Sequence, residues 1–249
     1  MNLADVLNDP PKPHKDAADQ YIVMGLTVDA LKFISDNVDR TCATLETGSG
    51  LSTIAFALTG ARHVAISPAD YEFEIIKGYC RERQIPTEQI EFIVGGSERV
   101  LPRLELPALD LVLIDGRHGF PAPYIDWFYT AGNLKKGGHV IVDDVWVWSG
   151  QVLHDFLDAQ PEWQLVADFG SRTSVFKKLD DGSELLEWTQ QPFVARTGRL
   201  RWIDGQLSLA AAAPPARGSS VVGRALADLG RGDLRALSRK IKRRLGPRS

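Results

Sequence analysis

Seven short apolar runs, most of them separated by helix-like stretches, constrain this chain more than any other feature of its sequence. "TCATLE", "HVAIS", "IEFIVG", "LDLVLID" and "GGHVIVDD" read as strands. The stretches that follow them, "STIAFAL", "YEFEIIKGYCRER", "SERVLPRL", "YIDWFYTAGNL" and "GQVLHDFLDA", read as helices. Near-continuous apolar strands alternating with helices belong to a parallel sheet covered on both faces. The last two runs, "WQLVADFG" and "TSVFKKL", are only a few residues apart. That separation suits a hairpin, so the last strand should run antiparallel to its neighbour. Ahead of the first strand, Val28, Leu31, Ile34 and Val38 recur at helical spacing, with Thr27 as the N-cap.

Around this body the chain changes character. Residues 1–20 are polar, hold three prolines and read as an irregular arm. The α/β domain spans 21–180. A strand-like extension, 181–207, contains "LLEW" and "RLRWIDG"; 208–223 is a low-complexity linker. From Arg224 to Ser249 nine Lys or Arg stand against two Asp, so this tail carries +7. The rest then carries −10 of the overall −3, which argues against a nucleic-acid groove on the body. Leu234, Leu237, Ile241 and Leu245 share one helical face of the tail, flanked by basic residues. Such a helix suits an anionic membrane surface or a protein partner, and a plain solvated tail has the same composition. Two distant cysteines, Cys42 and Cys80, suggest no disulfide framework. With no secretory leader and no spanning run, the expected location is cytoplasmic, the tail being the element that would reach the inner membrane face.

The stretch "LETGSGLSTIAFAL" places Gly48 and Gly50 between a strand and a helix. In open α/β sheets that turn approaches a nucleotide-type ligand beyond the strand ends. The dinucleotide pattern needs a third glycine, which is absent, so a nicotinamide dehydrogenase is disfavoured. A tight structural turn would use the same glycines. Further on, "VLIDGRHGF" ends a strand with Asp115 and "HVIVDDVW" ends the next with Asp143 and Asp144. Three acids on one rim repel unless neutralised, and a hard divalent cation such as Mg²⁺ would neutralise them. An Asp at a strand end can equally point to solvent or cap a helix. Trp146 and Trp148, with Phe120 and Tyr124 opposite, could line an acceptor pocket or serve as packing; Trp127, Phe128 and Tyr129 read as core. His14, His63, His139 and His154 form no metal spacing.

Over Val28 to Leu179 the "ETGSG" turn and seven-strand order resemble the class I S-adenosylmethionine-dependent methyltransferases, with a Rossmann-like sheet and antiparallel last strand. The resemblance implies that Glu46, Gly48 and Gly50 line the methionine end of the cofactor. The family ends its second strand with an acid for the ribose; here Ser67 occupies that place, and Asp70 is the substitute three residues on. In members resembling catechol O-methyltransferase a G-x-S-[QE] turn contacts the adenine, which points to Gly96, Ser97 and Glu98; Ser97 is equally suited to cap the following helix. In those enzymes, and in metal-dependent sugar O-methyltransferases, an Asp after strand four and an acidic pair after strand five bind Mg²⁺. Asp115, Asp143 and Asp144 match, and Asp115 also borders the cofactor. His118 falls where those enzymes place a catalytic lysine, and imidazole suits general-base work near neutrality. The resemblance thus implies methyl transfer to a hydroxyl of a small molecule or glycan. A metal-free enzyme using Asp115 or His118 alone is the alternative. A non-catalytic tethering module, favoured by Ser67, is the rival from another class.

Overall fold

The computed structural model describes residues 1–23, 25–180, 186–198, 200–203 and 206–209. The chain divides into a unit of Met1–Leu186 and a second of Glu187–Ser249. The first is built on strands β1 (Ala43–Thr47), β2 (Arg62–Ser67), β3 (Ile90–Val94), β4 (Leu109–Ile114), β5 (Leu134–Val142), β6 (Trp163–Phe169) and β7 (Thr173–Lys178). Their order in the sheet is β3-β2-β1-β4-β5-β7-β6. All neighbours are parallel except β7, which is antiparallel to both β5 and β6, as the short final connection predicts. The strand order reverses between β1 and β4, and in open sheets that reversal opens a crevice at the strand ends.

Helices α1 (Val28–Asn37), α2 (Leu51–Thr59) and α3 (Asp70–Glu82) pack in succession, as do α4 (Ser97–Val100), α5 (Ala122–Ala131) and α6 (Trp148–Ala159). Thr27 caps α1, its hydroxyl accepting the Ala30 N–H at 3.2 Å. Leu31, Ile34 and Val38 enter the core, whereas Val28 is exposed. Leu45, Ile54, Phe56, Phe73, Ile76 and Leu113 are fully buried there. Burying such side chains contributes about 1.5–3 kcal/mol each.

Three sequence expectations are corrected. Residues 1–20 are ordered: Leu3–Asn8 is a helix, and His14–Lys15 pairs with Tyr21–Ile22 as a small antiparallel ribbon. The arm is tied down by Tyr79, whose hydroxyl donates to the Asp9 carbonyl at 2.8 Å, and by an Arg83–Asp9 ion pair. Phe128 and Tyr129 face outward on α5, because its inward stripe is Pro123, Asp126, Trp127 and Thr130. "LLEW" forms no strand in its described residues. In the second unit, Pro192–Thr197 is a helix, and Leu200–Ile203 pairs antiparallel with Gln206–Leu209. The basic tail, 224–249, and most of the linker before it lie outside the described residues. Among the described residues no helix is long and apolar enough to cross a membrane.

Candidate active site

A cleft of about 270 Å³ opens at the carboxyl ends of β1 to β5. Gly48 and Ser49 line it from the turn after β1, Ser67 from the end of β2, and Gly96 and Ser97 from the turn after β3. Asp115 to His118 follow β4, and Asp144 follows β5. Further walls have no motif in the sequence: His14 from the arm, Gly25 from the segment before α1, Glu72 from α3, and Arg172 from the β6–β7 turn.

The glycine turn is shaped by its protein neighbours. Gly48 has φ +95° and donates its N–H to the Ile66 carbonyl at 2.8 Å. A Cβ there would collide with the Asp115 carbonyl, so the backbones of the β1 and β4 loops touch only because position 48 is bare. Glu46 stands behind the turn. It is fully buried and does not face the cleft. Its carboxylate accepts from Ser52 and Thr53 at 2.5 Å each, with His63 Nε2 at 3.1 Å. Thr53 in turn accepts the Gly50 N–H at 3.0 Å. Glu46 and Gly50 therefore fix the turn from within.

The missing strand-end acid is made up from the next helix. Asp70 is exposed and accepts the N–H of Tyr71, so it does not reach the cleft. Glu72, one half-turn on, does. It accepts from Ser49 at 2.7 Å and Ser67 at 3.0 Å, with His14 Nδ1 at 3.1 Å. Burial alone would raise its carboxyl; the hydrogen bonds from His14, Ser49 and Ser67 more than offset this and hold it below the ordinary 4.5. A carboxyl held low in the fold stabilises the protein fully above 4.5, and that contribution is lost as pH falls through the folded value. Denaturant unfolding should therefore separate wild type from Glu72→Gln at pH 7, and the gap should shrink as pH falls below 4.5 and through the folded value. A gap unchanged by acid would contradict this account.

At the turn after β3, Ser97 does not cap α4, whose cap position, Gly96, makes no side-chain bond. Ser97 instead interacts with buried Asp126, which also accepts from Thr47 at 2.7 Å. Asp126 Oδ1 has no hydrogen-bond partner. Glu98 folds back over Gly96, its Oε2 2.5 Å from where a Cβ would be, and does not line the cleft.

The acids do not converge as the sequence suggests. Asp143 is buried and engaged, accepting from Thr173 and lying 3.4 Å from Arg172 Nη2. Asp144 takes a left-handed conformation, φ +51°, which turns its side chain toward β4. Its Oδ2 is 3.1 Å from His118 Nε2, while its Oδ1 accepts from Trp146 Nε1 at 2.6 Å and lies 3.3 Å from Arg172 Nε. The set that does converge is Asp115, His118 and Asp144, with one ligand atom from each within 4.8 Å. Burial, then repulsion from Asp143, Asp144 and Glu46, pushes Asp115 well above the ordinary carboxyl range, with Arg172 opposing. The His118 loop is pinned by Ser149 of α6, whose hydroxyl donates to the His118 carbonyl. Beside it Phe120, Trp146 and Trp148 are each more than 60% exposed, and Phe120 lies 5.6 Å from Trp148. These rings are not core, and Trp146 meets the cleft through its bond to Asp144.

Residues 45–145 match the family model of a methyltransferase domain. No curated protein matches the chain significantly. Solved structures share the fold. An O-methyltransferase of tomaymycin synthesis from Streptomyces achromogenes, in complex with S-adenosylmethionine, is 17% identical, with 72% of this chain and 97% of that one covered and a TM-score of 0.53. An O-methyltransferase from Bacillus cereus, in complex with S-adenosylhomocysteine, is 18% identical, covering 72% and 90% with a TM-score of 0.54. A Podospora anserina methyltransferase bound to S-adenosylhomocysteine is also 18% identical, covering 63% and 80% at 0.50. The sheet order, the reversal cleft and the matched segment together give residues 45–145 as similar to a methyltransferase domain, in the fold that these solved methyltransferases share.

Proposed function

We propose that this enzyme transfers the methyl group of S-adenosylmethionine to a hydroxyl of a small molecule or sugar. The observation that carries the reading is the His118–Asp144 pair at the lip of the cleft. An imidazole oriented by a carboxylate can take the proton of an acceptor hydroxyl, and the carboxylate steadies the imidazolium that results. When bound, the cofactor supplies an electrophilic methyl on a sulfonium. The cleft suits it: the bare turn at Gly48 lets the loops after β1 and β4 close up at its floor, and Glu72 offers a charged acceptor for ribose hydroxyls. Cofactor-bound proteins of the same fold support the choice. The chain contributes orientation and the base. Exposed Phe120, Trp146 and Trp148 favour an acceptor with a flat ring or sugar face.

Magnesium is the other group the resemblance implies. The residues fit it poorly. Asp143 is engaged by Thr173 and Arg172, an imidazole takes its place in the converging set, and a guanidinium already lies against two of the acids. A hard cation prefers oxygen donors and no competing positive charge. No step of this reading runs through a metal.

Calorimetry should show wild-type protein binding S-adenosylhomocysteine. Release of that product from S-adenosylmethionine should then appear with at least one member of a panel of catechols and glycosides. Absence of any binding signal would sink the reading.

A further inference from the structure

We propose that Arg172 is the resident cation of the acceptor site, taking the place of a divalent metal and holding Asp144 toward His118. The residue sits at the β6–β7 turn, where antiparallel pairing of β7 with β5 brings it beside the end of β5. The register makes this unavoidable: Ser174 pairs with Val142, so the residue before Thr173 falls next to Asp143 and Asp144. Its main chain is fixed there, since the Val145 N–H donates to the Arg172 carbonyl at 2.9 Å. Its side chain is held by hydrogen bonds through Nη2, while buried Nε has no hydrogen-bond partner and faces Asp144 as an ion pair. Nη2 donates to the Gly25 carbonyl at 2.9 Å and lies 3.4 Å from Asp143 Oδ2. Nε lies 3.3 Å from Asp144 Oδ1, and the guanidinium carbon is 5.2 Å from the Trp146 ring centroid.

One positive charge therefore bridges the two consecutive acids after β5. A divalent ion on Asp144 would lie close to the guanidinium and be repelled by it. To admit the ion, Arg172 would have to leave Gly25, Asp143 and Trp146 together. Asp143 could not turn inward without also leaving Thr173. Arg172 is a positioning residue: it acts on the acceptor through Asp144 and His118, a chain of contacts at 3.3 and 3.1 Å.

The proposal rests on the methyl-transfer reading, but its test needs no turnover. Mn²⁺ is titrated into wild type, Arg172→Lys, Arg172→Met and Arg172→Gln, each loaded with S-adenosylhomocysteine, and free Mn²⁺ is followed by electron paramagnetic resonance. Wild type and the lysine variant should leave the free signal unchanged. At least one neutral variant that retains S-adenosylhomocysteine affinity should bind Mn²⁺ at least tenfold more tightly than wild type. Wild-type Mn²⁺ binding that disappears in Asp144→Asn would overturn the proposal. So would neutral variants that hold S-adenosylhomocysteine yet gain no Mn²⁺. Wild type that binds no S-adenosylhomocysteine at all would instead break the functional reading, and the Mn²⁺ arms are then read on the unliganded proteins.

Discussion

Gly48→Val will bind no measurable S-adenosylhomocysteine. Position 48 has φ +95°, where a β-branched residue is strained by about 1–3 kcal/mol. The added side chain also meets the Asp115 carbonyl, which is backbone and cannot rotate away. The turn after β1 and the loop after β4 must therefore move apart. Both border the cleft, so its floor is lost along with the fit. Far-UV circular dichroism on the same samples separates a deformed site from an unfolded protein. Binding within tenfold of wild type would show that the two loops do not need their close contact.

His118→Ala should lower turnover by about 10²–10⁴-fold, the range for removal of a general base, while S-adenosylhomocysteine affinity changes little. The separation is expected because the His118 main-chain carbonyl, and not its imidazole, receives the Ser149 bond that pins the loop. Removing the ring leaves that anchor in place. Asp144→Asn should lower turnover in the same direction through loss of the carboxylate partner at 3.1 Å. Turnover in His118→Ala within twofold of wild type would exclude the imidazole as proton acceptor.

The centre of the sheet was legible because its strands are apolar runs buried on both sides, unlike the more exposed edge strands β3 and β6, and even the antiparallel strand was marked by the short β6–β7 connection. The glycine turn and the acids Asp115, Asp143 and Asp144 were legible for the same reason, each lying at the end of such a run, whereas His118 was marked only by the resemblance. Glu72 is hidden in the sequence because Asp70 is the acid nearer to Ser67. A helix that begins at Asp70 sends positions 70 and 72 in different directions. Which of Asp143 and Asp144 faces inward depends on the left-handed kink at Asp144, which no local pattern announces. Arg172 carries no motif in the sequence; it comes beside the acids because β7 also pairs with β5. His14 could not have been found locally, since 58 residues separate it from Glu72.

The burial of Glu46 bears on how loss-of-function controls are chosen. A reader of the motif would mutate that acid to make a cofactor-blind protein. In this chain the substitution would strip partners from Ser52, Thr53 and His63 inside the core, at about 1–3 kcal/mol for each group left unpaired. The result would be a weakened fold that mimics a binding defect.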